Sequence, residues 1–166
     1  MLTNQEVAEE LLREFGEDVY GFEEPYEMLT LTTTRDQIIP MLEFLFNHQK
    51  FQANFLTDLT GVHYPDTPGL EYAVVYHLHS LVHNFRLRIK VFLAEGDERI
   101  PTATKVYESA NWMERETYDF FGIQFEGHPN LIRILNIEEM DYFPMRRQYP
   151  LEDTTREDKT DALFGR

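Results

Sequence analysis

Tyr72-Ala73-Val74-Val75-Tyr76-His77-Leu78-His79-Ser80-Leu81 is followed, after a short connection around His83-Asn84, by Leu87-Arg88-Ile89-Lys90-Val91-Phe92-Leu93. In the second run Leu87, Ile89, Val91 and Leu93 alternate with Arg88, Lys90 and Phe92. A period of two belongs to a strand that rests one face on a core. The two runs together predict an antiparallel hairpin, whose other face is partly wet or covered by a partner. Upstream, residues 55–62 predict a third strand, set off by the turn-rich His63-Tyr64-Pro65-Asp66-Thr67-Pro68-Gly69.

Working outward, residues 26–33 are β-branched and aromatic and predict a strand. Residues 36–48 carry Ile38, Ile39, Leu42, Leu45 and Phe46 on one helical stripe, and Pro40 fits if that helix starts near Asp36. Residues 4–15 predict a short amphipathic helix, with Val7, Leu11, Leu12 and Phe15 inward, Thr3 or Asn4 as the cap and Gly16 as the stop. A second helical region spans 102–121, broken near Ala110; Asn111 caps its second half, Glu114 stands at the reciprocal capping position, and Gly122 ends it. The order predicts an α+β fold: a small mixed or antiparallel sheet of about four strands packed with helices, over residues 1–126.

From residue 127 both periods vanish, and Pro129, Pro144 and Pro150 bias the chain toward extended geometry. Residues 127–166 therefore read as a long extended C-terminal arm. Leu131, Ile132, Ile134, Leu135, Ile137, Met140, Tyr142, Phe143, Met145, Tyr149, Leu151, Leu163 and Phe164 make it too apolar for a solvated tail. The arrangement that buries them lays the arm across its own sheet and then across another polypeptide.

Charge narrows the partners. Thirty Asp and Glu against 15 Lys and Arg give a net charge of −15, which repels phosphate backbones and anionic headgroups, so nucleic acid and direct membrane insertion are not expected. No run reaches the roughly 18 to 20 uncharged apolar residues of a membrane helix. The absence of Cys excludes disulfides and thiolate zinc sites, and removes the ligands on which nearly all iron–sulfur clusters depend. The carboxylates crowding residues 1–28 around the lone cation Arg13 read as a solvated helix face and loop.

Candidate chemistry is sparse. Glu114 and Glu116 would be an acid/base pair, but positions two apart on a helix point roughly 200° away from each other and cannot flank one bond. Arg115 and Asp119 stand at the spacing that lets them pair on a helix. His77 and His79 share a strand face with His83 beyond the turn; without an acidic residue at matching spacing they read as polar or core-edge histidines, not metal ligands. No glycine-rich phosphate loop or nucleophile elbow is present. In the arm, Arg146-Arg147 beside Met145 and Tyr149 has the composition of an interface anchor, expendable for folding.

Asn111-Trp112-Met113-Glu114-Arg115-Glu116-Thr117-Tyr118-Asp119-Phe120-Phe121-Gly122-Ile123 resembles the signature of the thirty-kilodalton subunit family of respiratory complex I, the NADH:quinone oxidoreductase. Its core is Glu114, Arg115, Glu116, Tyr118, Asp119, Phe121, Gly122 and Ile123. The match continues through Gly127-His128-Pro129-Asn130-Leu131, Arg133-Ile134-Leu135 and Pro144-Met145-Arg146-Arg147-Gln148-Tyr149-Pro150-Leu151, and upstream through Leu59-Thr60-Gly61-Val62. Tyr142-Phe143 and Gln148 depart from the family pattern.

The resemblance implies a non-catalytic subunit with no cofactor of its own, scaffolding subunits D, B and I near the quinone site. FMN and iron–sulfur clusters would reside in partner subunits, and the complex would lie at the cytoplasmic face of the inner membrane, moving electrons from NADH to quinone with proton translocation. Ending at Arg166, the chain resembles the stand-alone form of the family, in which the D component is a separate chain. Pro144, Met145, Arg146, Arg147, Tyr149 and Pro150 become the interface candidates. Two other readings compete: the equivalent subunit of a membrane-bound hydrogenase or F420H2 dehydrogenase, and a stand-alone enzyme using Glu116 and His128.

Overall fold

A computed structural model describes residues 2–149 of the 166. The first helix, α1 (Asn4–Phe15), begins with a full capping box: the Glu6 amide donates to Thr3 Oγ1 at 3.3 Å while the Thr3 amide donates to Glu6 Oε2 at 2.9 Å. Gly16, at φ +56°, closes it. Three long strands follow the predicted bounds closely as β3 (Phe55–His63), β4 (Tyr72–Ser80) and β5 (Phe85–Leu93), and the last two form the antiparallel hairpin, closing on Ser80 opposite Phe85. Helix α2 (Ile38–Asn47) holds Pro40 in its first turn, where the missing N–H costs no bond.

The main sheet has five strands, not about four, because β1 (Val19–Glu23) adds an antiparallel edge to β2 (Leu29–Thr33). The strand expected from residue 26 starts only at Leu29. Pro25–Glu27 instead forms a tight turn, with Tyr26 at φ +56° and Glu27 at φ +64°, conformations no strand accepts. The order is β1-β2-β5-β4-β3, with β2 and β5 parallel and the other neighbours antiparallel, so the sheet is mixed.

Register divides the sheet into two faces. Leu31, Ile89, Tyr76 and Leu59 stand opposite one another across four strands, each at most 1% exposed, and join Val7 and Leu11 of α1 and Leu42 and Leu45 of α2 in one core. Each such aliphatic side chain contributes about 1.5–3 kcal/mol by leaving water.

The expected helix over 102–109 is absent. That segment is a series of turns between β6 (Arg99–Pro101) and α3 (Ala110–Phe121), because the Thr102 amide donates to the Glu126 carbonyl at 3.0 Å and carries on the parallel pairing of β6 with β7 (Gln124–Glu126). Asn111 consequently lies inside α3 and not at its cap, its Oδ1 buried without a partner among the described residues. Helix α3 crosses β3 at Gly61, where an added Cβ would sit 2.7 Å from the Phe121 ring.

Candidate functional site

The signature helix is the hub of the arm. Asp119 is fully buried, and five donors converge on its carboxylate: the amides of Ile134 (3.0 Å), Leu135 (2.8 Å) and Asn136 (2.9 Å) on Oδ2, with Asn136 Nδ2 (3.0 Å) and Arg133 Nη1 (2.7 Å) on Oδ1. Burial by itself would raise this carboxyl. The amides of Asn136, Leu135 and Ile134 and the Asn136 side chain outweigh it and hold Asp119 well below the usual carboxylate range. Arg133 directs three further donors to the carbonyls of Asp119 (3.0 Å), Met140 (2.8 Å) and Tyr142 (2.9 Å) and lies over the Phe143 ring at 5.0 Å. One ion pair thus folds residues 133–143 onto α3.

The expected Arg115–Asp119 pair does not form, because the arm claims both partners. Arg115 donates to the carbonyls of Ile132 and Arg133, each at 3.2 Å, and stacks over Trp112 at 5.2 Å. Tyr118 meets Phe143 edge-on at 5.9 Å, and Ile123 is fully buried.

Glu114 is buried on the opposite side of α3. It accepts from the Thr102 hydroxyl and the Ala103 amide, both at 2.6 Å, and thereby anchors the turn that stands in place of the expected helix. Burial pushes its carboxyl up to about 7, against the lowering effect of those two donors. The pairing of Glu116 with His128 is not found: Glu116 is exposed, and it is Glu114 that lies 3.9 Å from His128 Nε2, which is in hydrogen-bond range of the Asn111 carbonyl at 3.1 Å.

The arm's two arginines diverge. Arg146 is committed to its own chain: Nε donates to the Phe121 carbonyl at 2.8 Å, the guanidinium covers Tyr72 (4.9 Å) and Phe143 (5.0 Å), and Glu98 lies 3.5 Å away. Its side chain thus packs within this chain, where the sequence offered it as an interface anchor. Gly122 makes this closure possible, since at φ +82° a Cβ there would meet Phe143 at 2.6 Å and Arg146 at 2.7 Å. Arg147 is exposed, and its amide donates to His63 Nδ1 at 2.9 Å. Pro144 is half-buried, Met145 and Tyr149 are exposed, and Tyr149 leans on Tyr142 at 4.8 Å. Pro150 and the rest of the arm to residue 166 lie outside the described residues.

The junction leaves an apolar rim. Ile132, Leu135, Ile137 and Met145 are 45%, 63%, 67% and 53% exposed. Arg133, Asn136 and Phe143, to which the sequence assigns no role of their own, carry no local signal: each meets α3 from at least 14 residues away in the chain.

Fold and junction define an α+β module whose signature helix is wired to an apolar arm. The chain belongs to the thirty-kilodalton subunit family of respiratory-chain NADH dehydrogenase, which it matches over residues 31–155. It is 38% identical over 157 residues to the C subunit of NADH-quinone oxidoreductase from Citrifermentans bemidjiense, covering 95% of this chain and 96% of that one. It is also 42% identical over 123 residues to the corresponding subunit from Nocardioides sp., covering 74% of this chain. The matched region spans about half, 49%, of that relative's length.

Among solved structures, the trypsin-resistant fragment (1-134) of Nqo5 superposes with a TM-score of 0.65 at 35% identity, over 78% of this chain and all (100%) of the fragment. A chain of an archaeal membrane-bound sulfane sulfur reductase superposes at 0.74 over 89% of this chain and 85% of its own, but at 23% identity it shows the fold alone. The hydrogenase-type reading is not favoured by these relatives. Among the described residues no helix is long and apolar enough to cross a membrane.

Proposed function

We propose that this chain is a non-catalytic docking subunit in the peripheral arm of NADH:quinone oxidoreductase, complex I. It scaffolds subunits D, B and I near the quinone site, at the cytoplasmic face of the membrane, while FMN and iron–sulfur clusters in partner subunits carry electrons from NADH to quinone. Residues 1–126 serve as the body and 127–166 as the docking arm, with Pro144, Met145, Arg147, Tyr149 and Pro150 as contact residues; Arg146 orders the arm from within.

The observation that carries this reading is the Asp119 junction. The signature's Asp119 spends its carboxylate on hydrogen bonds that shape the arm, and the arm so shaped leaves Ile132, Leu135, Ile137 and Met145 exposed along it. Exposed apolar rows with a polar surround mark protein interaction sites. Leu135→Asp with Ile137→Asp tests the reading. The isolated variant should keep its melting midpoint, because both positions are solvent-facing, yet fail to co-purify with the other subunits. Normal co-purification contradicts the proposal.

A further inference from the structure

The face of the main sheet turned away from the helices is a second, chemically different surface. Register assigns its rows: Thr30, Arg88, His77 and Asp58 stand abreast, then Thr32, Lys90, Val75 and Thr60, and then Arg86 beside His79. Arg86, Arg88 and Lys90 thus occupy alternate positions of β5, the central strand. Short side chains flank them, with Thr30, Thr32 and Val75 forming a floor.

The charge of this row opposes that of the whole chain, in which carboxylates outnumber cations two to one, 30 against 15. Even so, among the described residues none of Arg86, Arg88 and Lys90 makes an ion pair. The carboxylates in register with the row are Asp58 on the β3 edge, 3.4 Å from His77 Nδ1, and Glu23 on the β1 edge. Arg88 settles for a neutral acceptor, donating from Nε to His77 Nε2 at 2.8 Å. Among the described residues one ring nitrogen here, His79 Nε2, is buried without a hydrogen-bond partner, while His77 Nδ1 faces the Asp58 carboxylate. Cations without an ion-pair partner over a buried floor, beside a ring nitrogen that lacks a hydrogen bond, complement a carboxylate-bearing surface.

We infer that this face receives a carboxylate-rich segment of a partner polypeptide, bound by Arg86, Arg88 and Lys90 over the floor of Thr30, Thr32 and Val75. The inference rests on the docking reading and adds a second contact surface, distinct from the arm. A nucleic acid or a second copy of this chain would bring its own strong negative charge against a net charge of −15. A short acidic segment of a partner carries far less charge and meets the local field of Arg86, Arg88 and Lys90, with Asp58 and Glu23 confined to the two edges.

The test uses the assembled complex in native membranes. Amine acetylation of Lys90 should fall several-fold relative to the isolated chain, and zero-length carbodiimide coupling should join Lys90 to an Asp or Glu of another subunit. Arg86→Glu with Lys90→Glu should keep the isolated chain's melting midpoint and lower its retention in the complex about tenfold; Arg86→Lys with Lys90→Arg should retain it. Should the double reversal fail to fold, Lys90 acetylation in the wild-type chain decides alone. Equal acetylation in both states overturns the inference, as does unchanged retention after charge reversal. Coupling of Lys90 to a second copy overturns it too, as does reversal that abolishes only binding to phosphatidylglycerol vesicles. If the wild-type chain does not co-purify with any other subunit, the docking reading falls first and takes this inference with it.

Discussion

Asp119 and Glu114 are both buried carboxylates five residues apart on one helix, yet their environments push them in opposite directions. Asp119 faces five donors and stays charged, so its contribution to stability is present above the ordinary carboxylate value and is lost as the pH falls through its lowered folded value. Asp119→Asn removes one partner of a buried pair and should cost about 3 kcal/mol, read by chemical denaturation. Glu114 has two donors and is raised from 4.5 to about 7. Its folded form binds a proton that the unfolded form has released, so the stability it contributes is full below 4.5 and is lost as the pH rises through 7. The loss is on the order of 3 kcal/mol. Glu114→Gln should therefore flatten the fall in stability between pH 4.5 and 7, and an unchanged slope in the variant would contradict the assignment.

At the scale of elements, two close approaches decide how α3 is held. At Gly61 the helix lies against β3, and Gly61→Ala would force the Phe121 ring away at about 1–3 kcal/mol of overpacking. At Gly122, alanine adds a strained positive φ to collisions with Phe143 and Arg146. Hydrogen exchange on Gly122→Ala should accelerate at the amides of Leu135, Asn136 and Met145 while β4 and β5 stay protected; uniform acceleration would mean that the arm and body unfold as one unit.

These elements are legible in the sequence to unequal degrees. The helix over 4–15 and the strands from 55 to 93 declare themselves, because capping, alternation and hairpin pairing are local. The β1 edge, only five residues around Gly21, is too short to show a period, and the parallel pairing of β2 with β5 joins chain segments far apart. The Asp119–Arg133 junction is hidden for the same reason: helical spacing offers Arg115 as a partner, and only tertiary structure brings Arg133 closer. Glu114 has the spacing of a capping residue, since its true donors, Thr102 and Ala103, lie in a segment whose sequence itself looks helical.

For the whole molecule, the central proposal is that the family signature builds an assembly surface and carries out no chemistry. An acid/base role for Asp119 or Glu116 would make turnover depend on those side chains in every assembled complex. An architectural role makes the number of complexes depend on them. The direct measurement is NADH:quinone turnover in membranes bearing Asp119→Asn or Glu116→Gln, divided by the amount of assembled complex in the same membranes. The architectural role predicts that Asp119→Asn reduces the amount assembled and that Glu116→Gln changes little, with turnover per complex held near the wild-type value for both. Full assembly with turnover per complex reduced about tenfold or more, the range of a lost general acid or base, would contradict it.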